Sequence, residues 1–181
     1  KANPLPAATE RQFVIAGMNI ENFFDDQDDP GIREDVVEKE AFDRRLEKIS
    51  RAIREFMQMP DVIGVVEAEN INAVKRLASK INADAIAAGK PDPKYEAFLV
   101  EGNDGRGIDN GVLVKTSRLK VIEVKQLGKD EKYKNPVTKG EVFLNDRPPL
   151  MLRASIENAK AGKPFEFTVI VNHLKSYSGY N

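Results

Sequence analysis

The chain has 181 residues, 20.2 kDa, 41% hydrophobic and 31% charged, which fits one folded domain and excludes a disordered chain. Its 28 Lys and Arg against 29 Asp and Glu leave a net charge of −1 and a pI of about 6.0, so bulk positive charge does not attach it to nucleic acid, although a local basic cleft remains open to it. With no Cys and one His it has no disulfide framework, no thiol nucleophile, no Cys-zinc site and no multi-histidine metal centre.

Residues 1–12 read as an N-terminal extension with no apolar core and no initiator Met, a processed start that leans towards export from the cytoplasm. The domain proper is expected over 13–181, and no apolar run in it approaches the roughly 20 residues of a membrane helix. Phe13 to Met18 (FVIAGM) reads as a buried strand that runs into Asn19-Ile20-Glu21-Asn22-Phe23-Phe24. The loop Asp25 to Gly31 is acidic and is expected at the surface. An EF-hand fails there, because Pro30 and Val37 fall where the fifth and twelfth ligand positions would be. Over residues 33–58, Val37, Phe42, Leu46, Ile49, Ile53, Phe56 and Met57 mark one apolar helix face, and Pro60 stops it. Val62-Ile63-Gly64-Val65-Val66 is a second buried strand, ending in Glu67-Ala68-Glu69-Asn70. A second helix carries Ile71, Val74, Leu77, Ala78, Ile81 and Ala85 on one side and closes at Gly89 and Pro91.

The rest reads as β: strands at 95–100, 111–114, 120–124, 150–156 and 165–171, with a lysine-rich solvated loop over 128–141. The order implies sheets covered by helices. The chain stops soon after a strand, which leads us to expect more of the fold elsewhere, from the same precursor or from another chain.

Three strands deliver polar groups at their C-terminal ends, where ligand sites are favoured: Asn19 and Glu21, Glu67 and Glu69, and Asn172-His173-Leu174-Lys175-Ser176. Asn19, Glu67 and His173 are therefore expected to converge. A carboxylate after VIGVV is costly unless paired or metal-bound, so Glu67 is either a metal ligand or, with Asn70, a helix-start carboxylate. Glu69 reads as a solvated helix-start carboxylate. His173 is either functional or a packed ring. The glycine cluster Gly102 to Gly107 precedes a strand rather than a helix, so it is a turn and not a phosphate loop, with Arg106 available to a phosphate. No G-x-S-x-G elbow is present, and Ser176 and Ser178 lie too near His173 in sequence to be its triad partner.

Five segments, in order, resemble the endonuclease/exonuclease/phosphatase superfamily of DNase I-like metal phosphoesterases, in its bacterial nuclease-like branch. They are Asn19-Ile20-Glu21-Asn22-Phe23-Phe24; Pro60-Asp61-Val62-Ile63-Gly64-Val65-Val66-Glu67; Arg106-Gly107-Ile108-Asp109-Asn110-Gly111-Val112; Asp146-Arg147-Pro148-Pro149-Leu150; and Asn172-His173-Leu174-Lys175-Ser176. The resemblance implies an α/β (α+β) DNase I-like four-layer sandwich, two packed mixed sheets flanked by helices. It implies a Mg²⁺-dependent phosphodiester hydrolase, with Ca²⁺ or Mn²⁺ as alternative ions and DNA or RNA as substrate. Glu67 would be the principal metal ligand and Glu21 a second. Asn19 would support metal or phosphate, His173 would hydrogen-bond the scissile phosphate or pass a proton, and Arg106 and Arg147 would line the phosphate cleft. The family's Asp-x-Asn and Asp-His motifs do not occur within these 181 residues. The alternatives are a phosphatase or phosphodiesterase on inositol phosphate or phospholipid head groups, and a catalytically inactive binding module of the same fold.

Overall fold

The run Val62 to Val66 lies at the middle of the molecule because it is apolar on both faces of a pleated strand. In the computed structural model, which describes residues 3–9, 12–33, 35–157 and 162–174, β1 (Ile15–Phe23) runs parallel to β2 (Val62–Ala68). β3 (Tyr95–Leu99) and β4 (Asp109–Lys115) complete a mixed sheet in the order β1-β2-β4-β3. A second sheet packs on the first. It holds β5 (Leu119–Gln126), β8 (Leu150–Ile156) and β9 (Phe165–Val171) in the order β5-β8-β9, and between β5 and β8 the chain forms a hairpin of β6 (Lys132–Lys134) and β7 (Glu141–Phe143). Two helices, α1 (Lys39–Arg51) and α2 (Ile71–Ala87), cover the mixed sheet; α1 runs on into a π-helical turn at Ala52–Phe56.

The alternation of β2 divides the core. Ile63 and Val65 face the helices with Phe23, Phe42, Leu77, Ile81 and Leu113. Val62 faces the second sheet with Val112, Val114, Leu150, Leu152 and Val171. Gly64 lies where the sheets approach most closely: a Cβ there would come within 2.9 Å of Val171 Cγ2. At one end of the sandwich Asp61 accepts from Arg118 Nη1 (3.0 Å) and from Val14 N–H (2.9 Å). That contact fixes the start of β2 against both β1 and the β4–β5 turn.

The α+β class and the two packed sheets agree with expectation. Among the described residues there are three of the four layers, and the second sheet is antiparallel throughout rather than mixed. The first helix starts at Lys39, later than residue 33, because Val37 N–H is held by Asp25 C=O at 3.0 Å. The segment 128–141 is exposed, as expected, but it is not all loop. Tyr133 pairs with Val142 across a turn that Asn135 closes by accepting from Val137 N–H at 2.8 Å and Thr138 N–H at 3.1 Å. No helix among the described residues is long and apolar enough to cross a membrane.

The acidic loop lies at the surface over Gln27, Asp28, Pro30 and Gly31, as expected, but it is tied down at several points. Asp25 is buried, Asp26 pairs with Arg76 of α2, and Asn70 Nδ2 donates to Asp29 Oδ2 at 2.8 Å. Asn70 also caps α2, its Oδ1 accepting from Ala73 N–H at 2.8 Å. Glu69 is buried too, and accepts from Asp25 N–H. The N-terminal end of α2 draws these carboxylates inward, which a reading of charge density alone does not foresee.

Candidate functional site

β1 and β2 end side by side, and both are irregular there. The register shifts between Asn19 and Phe23 on β1, and between Val66 and Ala68 on β2. Glu21, Asn22 and Glu67 take the left-handed backbone, with φ of 56°, 48° and 63°. That conformation costs about 1–3 kcal/mol for a residue with a side chain and persists only where its surroundings impose it. The bulge at Glu67 takes its side chain out of the strand's alternation and aims it across to β1. Asn19 Nδ2 donates to Glu67 Oε1 at 2.9 Å and Asn22 N–H donates to Oε2 at 3.1 Å. Asn19 is itself oriented by Glu21 N–H, which donates to its Oδ1 at 2.8 Å.

The end of β9 brings in the histidine. His173 Nε2 lies 3.5 Å from Glu67 Oε1, and Arg147 Nη1 lies 3.0 Å from Nδ1. The same Nη1 lies 3.3 Å from Nε2, so the guanidinium sits against the ring with both nitrogens in reach. Burial first, and then the charge of Arg147, hold His173 below its ordinary 6.5, which favours the neutral ring near pH 7.

Arg147 and Arg106 are held by Asp104, a residue that sequence reasoning passed over. Asp104 Oδ1 accepts from Arg106 N–H at 2.9 Å, the Arg106 guanidinium bonds both carboxylate oxygens at 3.3 Å, and Arg147 Nε lies 3.7 Å from Oδ2. Burial works to raise Asp104, but Arg106 and Arg147 hold it below the ordinary 3.8. The available signal was an Asp two residues before Arg in a Gly-flanked turn, where a short side chain turns back onto its own backbone.

The expected residues thus fall into two groups. Asn19, Glu67, Arg147 and His173 are joined by direct contacts, with Arg106 linked through Asp104. Glu21 contributes its backbone, and lines a separate cleft of about 320 Å³ with Arg45 and Lys48. Lys175, Ser176 and Ser178 lie outside the described residues. Among the described residues no group of three His, Cys, Asp or Glu side chains is placed to hold a metal ion, and Glu67 and Asp104 are the carboxylates of this cluster.

A second carboxyl pair lies behind the Gly102–Gly107 turn. Asp109, buried at the start of β4, has the carboxyl of the exposed Glu101 as its neighbour. Burial and the Asp109 carboxylate push Glu101 from 4.5 up to about 8, and burial raises Asp109 as well. Glu101 therefore keeps its proton at neutral pH beside the Asp109 carboxyl. The unfolded chain loses that proton near 4.5 while the folded chain keeps it to about 8, so its stabilisation is full at low pH and is lost as pH rises through this window. Thermal unfolding followed from about pH 6 to about pH 9 is expected to show a falling Tm that Glu101→Gln flattens. The same slope in both proteins would contradict the proton kept on Glu101.

A family model described as Endonuclease/Exonuclease/phosphatase family matches residues 14–180. The chain belongs to this family. No curated protein sequence matches this endonuclease/exonuclease/phosphatase chain at a significant level. Among solved structures it is similar to a humanized D. rerio TDP2 carrying 14 mutations, at 14% identity over 92% of this chain and 49% of that one, with a TM-score of 0.48. It is similar to a mannosyl-6-phosphatase of Bacteroides thetaiotaomicron, at 12% identity over 88% and 51% with a TM-score of 0.46. The human Nocturnin catalytic domain with bound sulfate is similar at 12% identity over 75% and 44%, TM-score 0.44. The chain spans about half the length of these structures.

Proposed function

We propose that this chain supplies a divalent-cation and phosphate site for phosphodiester hydrolysis, with nucleic acid as the substrate class. The observation that carries the reading is two carboxylates, Glu67 and Asp104, one imidazole and two guanidinium groups gathered at adjoining strand ends and the turn before β4, with strained backbone under Glu67. Such a donor set suits Mg²⁺, which takes one or two carboxylates and keeps several waters; it does not suit a closed zinc site. Ca²⁺ and Mn²⁺ share the preference for oxygen ligands. When bound, the cation neutralises phosphate charge and polarises a phosphoryl oxygen.

The chain's own residues do the rest. Glu67 holds the cation, and Asn19 and Asn22 fix the direction of its carboxylate. The neutral His173 ring offers an N–H to a non-bridging phosphate oxygen, and Arg147 stands against the ring. Arg106 and Arg147 offer fixed forks to charge that grows on the phosphoryl oxygens. Hydrolysis of single-stranded DNA with Mg²⁺, stopped by EDTA, and faster than that of an inositol phosphate or a phospholipid head group, is the expected result. Binding of the oligonucleotide without turnover would favour an inactive binding module. Faster turnover of the other phosphates would displace nucleic acid as the substrate.

A further inference from the structure

The β6–β7 hairpin forms a wall of the cleft into which Arg147 and His173 open. That cleft measures about 490 Å³ and reaches from those two residues to Tyr133, Val142 and Leu144. It lies within the roughly 300–1,000 Å³ usual for small-ligand sites. Tyr133 and Val142 are direct cross-strand partners and share one face, with Tyr133 44% exposed and Leu144 53% exposed. An aromatic ring and aliphatic side chains thus stand open to solvent beside two groups suited to a phosphate. Core packing does not account for this face, since no described residue of the hairpin's strands belongs to either core cluster.

The wall is nonetheless held in place. Asn103 Nδ2 donates to Lys129 C=O at 2.8 Å and to Asn145 C=O at 2.9 Å, so one side chain ties both legs of the hairpin. Leu144 N–H donates to Glu131 C=O at 2.7 Å. Gly128 takes φ +64°, and a Cβ there would lie 2.9 Å from Asn145 Nδ2. Asn103 immediately precedes Asp104, so the turn that fixes the two arginines also fixes the wall.

We propose that Tyr133, with Val142 and Leu144 beside it, is a stacking subsite for a nucleobase of a single strand whose phosphate lies at Arg147 and His173. This rests on the reading of the site as a phosphodiester site. A flat apolar wall next to phosphate donors matches a nucleotide, which joins a π-face to a phosphate. In a duplex the base faces are covered by their neighbours, so only an unpaired, unstacked base can use the wall. Charge does not do this work. Over residues 128–146, Lys129, Lys132, Lys134 and Lys139 are balanced by Asp130, Glu131, Glu141 and Asp146. A sugar ring also stacks on Tyr, and its hydroxyls would find Asn135, Asn145 and Asp146 around the same cleft, so competition by a hexose phosphate separates sugar from base.

The test is equilibrium binding, with Mg²⁺, of a short phosphorothioate single-stranded DNA and of the same strand with abasic sites. The intact strand is expected to bind about 5- to 150-fold more tightly than the abasic one. Tyr133→Leu, which keeps apolar area without a π-face, should remove that advantage, and Tyr133→Phe should retain it. Arg147→Gln should weaken both strands alike. Equal affinity for intact and abasic strands would overturn the subsite while leaving the phosphate site in place, as would an advantage that survives Tyr133→Leu. Competition by a hexose phosphate as strong as by a nucleotide would point to a sugar and overturn the nucleobase. Failure of both strands and of inorganic phosphate to bind would overturn the proposed function itself, and this subsite with it.

Discussion

On the proposed reading, Glu67→Gln is expected to lower phosphodiester hydrolysis by about 10²-fold or more, the scale of losing one group that stabilises a transition state. The amide keeps the shape and one acceptor but lacks the negative charge that holds a hard cation. Raising Mg²⁺ should recover part of the rate, because the defect lies in occupancy. Glu69, two residues on, gives the contrast. Its carboxylate is buried and accepts from Asp25 N–H, so Glu69→Gln should cost about 1–3 kcal/mol of stability and leave the rate at saturating Mg²⁺ near that of the parent protein. Rates and Mg²⁺ dependence measured on both variants, beside their unfolding curves, check this. Equal rate losses with no Mg²⁺ recovery would remove Glu67 from the site.

Phe42→Ala is expected to cost about 3–5 kcal/mol, a large share of the roughly 5–15 kcal/mol of an ordinary domain. Phe42 is fully buried under α1, its ring 5.1 Å from that of Phe23, with the Arg76 guanidinium 4.0 Å above it. Arg76 also pairs with Asp26, so the cavity loosens the acidic loop as well as the helix–sheet core. At about 2–4 °C per kcal/mol for a chain of this size, Tm should fall by about 6–20 °C. Val137→Ala, at 84% exposed on the hairpin turn, should stay within about 0.5 kcal/mol. Similar shifts in the two variants would mean that Phe42 does not close this core.

The sequence made the strands and the convergence legible for a physical reason. VIGVV is apolar at every position, and a buried strand with polar residues directly after it leaves few places for Glu67. The apolar run ending at His173 works in the same way. What hid was the bulge: nothing in the alternation marks Glu67 as left-handed, because the strain is imposed by the neighbouring β1 end and by Asn19. Asp104 was hidden for a related reason, since its role depends on Arg147, 43 residues away, arriving at the same turn. Glu69 was misread as solvated, and the ties of the surface acidic loop were hidden, because charge density says nothing of an approaching helix N-terminus or of Arg76. The hairpin at 132–143 was obscured by its lysines, although Tyr133, Val142 and Phe143 are strand formers and Asn135-Pro136 is a turn start.

The most direct test uses the fact that the chain has one histidine. Its imidazole gives a single set of ring resonances, and Nε2 lies 3.5 Å from the Glu67 carboxylate. Mn²⁺ added below the protein concentration, as a paramagnetic stand-in for Mg²⁺, should broaden those resonances in the parent protein. Excess Mg²⁺ should restore them, and Glu67→Gln should abolish the broadening. A His173 signal untouched by excess Mn²⁺, or broadened equally in Glu67→Gln, would contradict a cation site at Glu67.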